Sequence, residues 1–199
     1  MAALRDIIFL AVHPPAVETV LSEIKDVLRP ESVVVSLAPK WSMDAIAARL
    51  NGFRRIVRAI PNAPSIINQG FNPIAFTPDF PESEKRDLLP LFMALGTCPE
   101  VDEKKLEAYA ILTAMGPTYF WPQLQEMRLL GESFGLSAEE TVEGLTRMME
   151  GSLNTIFRSS LSYDAVVDLI PVKPLGEDEP AFREAYRTKL RGLYEKLKS

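Results

Sequence analysis

The sequence predicts an α/β region followed by an all-α region. Three observations lead there: short unbroken apolar runs rich in β-branched residues, helix-like segments alternating with them, and the loss of strand signals from about Lys104 onward. Runs of the first kind mark strands buried on both faces of a parallel sheet, and their alternation with helices defines an α/β layer.

The first strand candidate is Ile7 to Val12 and the second Val33 to Leu37. Between them Ala16 to Leu28 reads as a helix, because Pro14 and Pro15 suit a helix start and Pro30 follows its end. Ser42 is placed to cap a helix over Met43 to Leu50, which Asn51 and Gly52 terminate. Ile56 to Ile60 is the third strand and Ile74 to Phe76 the fourth. A helix from about Glu82 to Leu95 then closes at Gly96.

In the later region Phe120, Leu124, Met127, Leu130 and Phe134 share one helical face, and Gly135 ends that helix. Ser137 and Glu140 form a capping box for the next, whose face is Val142, Leu145, Met149, Leu153 and Ile156. A last helix, roughly Glu179 to Lys196, is expected to turn Phe182, Tyr186, Leu190, Leu193 and Leu197 inward. Three long helices with one apolar stripe each make a thin core, so much of their packing is expected between subunits. The change of character divides the chain into an α/β domain over 1–102 and a helical domain over 103–199.

With 199 residues, 47% of them apolar and 25% charged, the chain is long enough to bury a real core and is not disordered. A net charge of −5 and the absence of a dense Lys/Arg cluster argue against nucleic-acid binding. The single cysteine, Cys98, excludes an intrachain disulfide framework and fits a reducing compartment. With one histidine, His13, for company, it also argues against a zinc site, and no metal is expected. The apolar N-terminal run is too short for a membrane span and lacks the pattern of a secretory signal, so a cytoplasmic protein without membrane attachment is expected.

Two short stretches carry the chemistry. In "RAIPNAPSIINQG", residues 58 to 70, Pro61 and Pro64 restrict Ile60 and Ala63 and so hold Asn62 in place directly after a strand. Asn62 is then either an ordinary turn residue or an amide offered to a ligand in the crevice at the strand end. In "TAMGPTYFWPQ", residues 113 to 123, Gly116 and Pro117 cost stability inside a helical pattern but suit a helix start. Such a start can offer N–H groups to a carboxylate.

The order "DIIFLAVHP", "VVSLAP", "RAIPNAP", "TAMGPTY" and the helical C-terminal half resembles the pyrroline-5-carboxylate reductase family, in which these motifs run approximately AVKP, VISIAAG, RVMPNTP and SGSGPAY. The resemblance implies a partial Rossmann-like parallel sheet with a C-terminal helical dimerisation domain, and NAD(P)H-dependent reduction of a cyclic imine to proline. It implies that Val12, His13, Pro14 and Ala38 line the nicotinamide cofactor and that Asn62 sits near its ring. Thr113, Gly116, Pro117 and Thr118, the implied catalytic set, would flank the carboxylate of a small substrate.

The departures are as informative. The family opens with a strand and a G-x-G-x-x-G turn that holds the cofactor pyrophosphate; this chain begins at what resembles the fourth strand and contains no such turn. Binding of NADP or NAD by this chain alone is therefore expected to be weak or absent. The family's SPGGTT loop should fall near Asp168 to Gly176, which reads "DLIPVKPLG", and His13 and Met115 stand where the family has lysine and serine. Two readings follow: a diverged imine reductase whose cofactor segment lies upstream or on another chain, or a non-catalytic dimeric remnant that has lost cofactor binding.

Overall fold

The computed structural model of the chain describes residues 5–198. The polypeptide forms two compact units, one comprising Met1–Pro117 with Lys189–Ser199 and the other Thr118–Thr188.

The first unit is built on a four-stranded sheet of β1 (Ile7–Leu10), β2 (Val33–Ser36), β3 (Ile56–Ala59) and β5 (Ile74–Phe76), in the order β1-β2-β3-β5. Helices α1 (Pro14–Ile24) and α2 (Met43–Arg49) are the crossovers that make β1, β2 and β3 parallel. The fourth strand is antiparallel to β3, so the sheet is mixed. After β3 the chain makes no crossover helix. It spends residues 63–67 on a single tight turn and Gly70–Phe71 on a short strand, β4, then comes straight back, with the Ile60 N–H donating to Pro73 O at 3.0 Å. α3 (Glu82–Met93) follows, and β6 (Gly96–Thr97) pairs with β4 in a separate two-stranded ladder.

The strand runs are apolar throughout because both sheet faces are covered. Leu10, Val34 and Ile56 pack with Val17, Leu21 and Ile46 of α1 and α2 on one face, while Val35, Val57 and Ile74 pack with Leu88 and Phe92 of α3 on the other. Ser42 caps α2 as expected, its hydroxyl accepting the Ala45 N–H at 3.1 Å. Pro14 and Pro15 lie inside the first turn of α1, where a missing N–H costs least. Each parallel strand stops one or two residues short of its apolar run, since Ala11 to His13 and Leu37 to Lys40 leave the ladder to enter loops. The short helix α4 (Leu106–Tyr109) and α9 (Arg191–Lys198) complete this unit, and Leu197 packs against its core.

The second unit holds most of α5 (Pro117–Ser133), together with α6 (Ala138–Arg158), α7 (Tyr163–Asp168) and α8 (Glu179–Ala185). The capping box is complete: the Ser137 hydroxyl accepts the Glu140 N–H at 3.2 Å and the Glu140 carboxylate accepts the Ser137 N–H at 2.8 Å. Gly131 allows α5 and α6 to approach, because a Cβ there would lie 2.7 Å from the Thr141 methyl. Thr141 is the one buried side chain of these four helices among the described residues. The long apolar stripes face outward instead: Trp121, Val142 and Leu153 are half exposed, and Phe134 and Phe157 more so.

The last helical stretch departs from the expected inward stripe. Phe182 and Tyr186 are exposed, whereas Leu190, Leu193 and Leu197 are half-buried. The two ends of the stripe belong to different units: Phe182 and Tyr186 lie in the second, whereas Leu190, Leu193 and Leu197 lie in the first, where Leu197 packs against the core, and a wide turn over Tyr186–Leu190 falls between them.

Candidate functional site

At the carboxyl ends of β1 and β2 the chain opens a cleft of about 660 Å³ lined by Ala11, Val12, His13, Pro14, Leu37 and Ala38 among others. Parallel strands that each feed a helix splay their connecting loops apart at this end, which is where open α/β sheets present their crevice. His13 is the residue before α1; its backbone is extended, its carbonyl accepts the Ala16 N–H at 2.8 Å, and its side chain is exposed. Ala38 is buried on the opposite wall and its N–H donates to the Ser36 hydroxyl at 3.3 Å. The walls are mainly apolar, suited to the face of a planar ring. They are poorly suited to phosphate, since Pro14 and Pro15 remove two of the N–H groups that a helix start would offer an anion.

Asn62 belongs to a second group. It is half-buried and precedes the tight turn over 63–67, but its side chain does not close that turn. Its Oδ1 accepts the Phe71 N–H at 3.0 Å and its Nδ2 donates to the carbonyl of Thr113, 51 residues on, at 3.4 Å. Its own N–H donates to Oδ1 of the fully buried Asn72, which also accepts the Ser65 hydroxyl at 2.8 Å. The amide is therefore not a local Asx closure. It joins the two motifs that stood apart in the sequence.

Around Thr113 the helix widens over Ala110–Ala114, with the Met115 N–H donating to Ala110 O at 3.0 Å. The Thr113 hydroxyl donates back to Tyr109 O at 2.8 Å. Gly116 is buried, and only glycine fits there, because a Cβ would come within 2.4 Å of the Leu112 carbonyl oxygen. Pro117 opens α5 and Thr118 is exposed in its first turn.

Sequence reasoning did not single out the charged cluster that anchors this segment. The Arg58 side chain is 2% exposed and donates to Glu103 at 2.9 Å and to Glu107 at 2.7 Å; Glu103 also accepts the Met43 N–H at 2.6 Å. The available signal was an arginine between Val57 and Ala59 in an otherwise apolar run, since a buried charge needs a partner. Lys173 lies 3.9 Å from Asp168 in an exposed pair. Burial pushes the Cys98 thiol up to about 11. Among the described residues no three His, Cys, Asp or Glu side chains converge on a metal site, and no helix is long and apolar enough to cross a membrane.

Parallel strands with a cleft at their carboxyl ends, followed by a helical region, define a protein of the Rossmann-like α/β class. No family model matches the sequence. The chain is 26% identical over 170 residues to pyrroline-5-carboxylate reductase of Escherichia coli, covering 85% of this chain and 63% of that one. With the enzyme of Pseudomonas aeruginosa it shares 30% over 142 residues, 71% of this chain and 52% of that one. Among solved structures, a pyrroline-5-carboxylate reductase from Coxiella burnetii, at 28% identity, matches 98% of this chain and 73% of its own with a TM-score of 0.64. The fold also matches the Plasmodium falciparum pyrroline carboxylate reductase solved with NADP bound, at a TM-score of 0.81 and 22% identity over 98% of this chain and 78% of that one. The chain belongs to the pyrroline-5-carboxylate reductase family. It spans between about half and just under two thirds of the length of these curated relatives.

Proposed function

We propose that the chain works in an NAD(P)H-dependent reductase of the pyrroline-5-carboxylate type, acting in the cytoplasm on a small cyclic imine that bears a carboxylate. The observation that carries this reading is the bridge from Asn62 to Thr113, which joins the strand-end loop to the segment ahead of α5. The cofactor, when bound, supplies the hydride. Val12, His13, Pro14 and Ala38, which line the cleft, would hold the nicotinamide, and Asn62, whose amide keeps a second N–H, would sit near it. Thr113, Gly116, Pro117 and Thr118 flank the substrate carboxylate and fix its distance from the ring, the positioning that hydride transfer needs from a protein.

The grip on the cofactor is incomplete, since the 199 residues contain no G-x-G-x-x-G turn. Weak NADPH binding by this chain alone is expected in calorimetric titration. Micromolar affinity, about 8 kcal/mol, would overturn that expectation. With millimolar NADPH and pyrroline-5-carboxylate, slow cofactor oxidation above the protein-free rate is expected. No oxidation at all would defeat the reductase reading for this chain and favour the second one, a non-catalytic dimeric module. The outward apolar stripes of α5 and α6 support a homodimer through the C-terminal helices under either reading.

A further inference from the structure

The stretch from Glu103 to Met115 is held by residues on either side of the end of β3. At its start, the buried Arg58 pairs with the nearly buried Glu107 and the partly exposed Glu103. At its end, the Asn62 side-chain amide donates to the Thr113 carbonyl while its oxygen is held by the Phe71 N–H. Between these anchors the helix does not keep ordinary spacing: Met115 N–H pairs with Ala110 O, five residues back, instead of with a carbonyl four back. Wide turns of this kind are rare and poorer in hydrogen-bond geometry than an α-helix. Pro117 disfavours α spacing here, because it has no N–H to give the Thr113 carbonyl four residues back and its ring would crowd that oxygen, so the carbonyl needs another donor.

We infer that Asn62 is the residue that selects the wide turn, and so is a positioning residue for Met115, Gly116 and Pro117. Its amide takes up the Thr113 carbonyl in the middle of that turn. If the turn relaxed to α spacing, the residues that follow would rotate by about 100° around the helix axis. The role is distinct from any contact of Asn62 with a ligand. That the positioned segment flanks a substrate carboxylate rests on the reductase reading; that Asn62 positions it does not.

The test uses the full chain, isotopically labelled, with three variants. Asn62→Asp is isosteric and keeps an oxygen for the Phe71 N–H, but it has no N–H for Thr113. Asn62→Leu removes both bonds. Ser65→Ala breaks only the neighbouring bond to Asn72. In both Asn62 variants the Thr113 carbonyl carbon resonance should shift and the Met115 amide should exchange up to about tenfold faster, the scale of one lost hydrogen bond. Ser65→Ala should change neither. Unchanged Thr113 and Met115 signals in folded Asn62→Asp protein would overturn the inference. So would the lack, in the unaltered chain, of a nuclear Overhauser contact between the Asn62 side-chain amide protons and the Thr113–Ala114 backbone, a measurement that needs no variant to fold. Titration with proline separates the two claims: an unaltered chain that ignores proline counts against the reductase reading, while the Thr113 signals alone decide the role of Asn62.

Discussion

The two compact units bury their apolar residues to very different degrees. In the first, Val34, Val35, Ile46, Ile56, Val57 and Ile74 are fully buried, and even an arginine is enclosed beside the nearly buried Glu107. In the second, α5 to α8 bury a single threonine while Trp121, Leu153, Phe134 and Phe157 meet solvent. A sheet with helices on both faces finds its partners within one chain. A helix with a single stripe needs a second surface to bury it.

The sharpest way to break this contrast is to ask whether the helical unit has a partner. Light scattering at micromolar concentration should give the mass of a dimer; a monomer would refute the assembly. Leu145 and Met149 line an apolar groove of about 570 Å³ with Trp121 and Val142. Leu145→Asp and Met149→Asp should each yield insoluble or unfolded protein if the dimer is obligate, because a carboxylate would be forced into a desolvated interface. Soluble, folded dimers of both variants would show that the groove is not the interface.

A smaller effect is expected inside the first unit. Arg58→Leu leaves Glu103 and Glu107 without their cation, and a broken buried pair costs about 3–5 kcal/mol, less to the extent that Glu103 stays 30% exposed. Urea denaturation should show the loss, and the double variant with Glu107→Leu should recover part of it. A single variant as stable as the parent would mean that the ion pair does not anchor the 103–114 segment.

The smallest expected effect is chemical. Desolvation raises the Cys98 thiol from 9.0 to about 11, so the reactive thiolate forms only as the pH approaches that value. Alkylation by iodoacetamide should be slow at pH 8 and still climbing steeply at pH 10, where an ordinary thiol has almost reached its plateau. An early plateau would place Cys98 in water and weaken the picture of a dry first unit.

Much of the architecture was legible because it rests on local patterns. Unbroken β-branched runs gave the strands, Ser42 and Ser137 gave helix starts whose capping bonds are present, and Gly135 marked an end. Val12, His13, Pro14 and Ala38, which only the family resemblance assigns to a cofactor, line one cavity, because parallel strands feeding helices bring their loops to one end of the sheet. The antiparallel return of β5 was not legible: its apolar run reads the same in either direction, and only the path through the proline turn sets it.

The sequence by itself therefore left the short β4, β6, α4 and α7 unread but determined the four strands of the main sheet and the longer helices, where several of those helices start, and that the helical half carries more apolar surface than it can bury. These depend on spacing along the chain. Tertiary structure alone decided that Arg58 is a buried anchor, that the stripe from Phe182 to Leu197 is divided between the two units, and that the Asn62 amide bonds to Thr113, 51 residues away. Each depends on what lies opposite a side chain once the chain has folded, and a hydrogen bond between distant residues leaves no period in the sequence to be read.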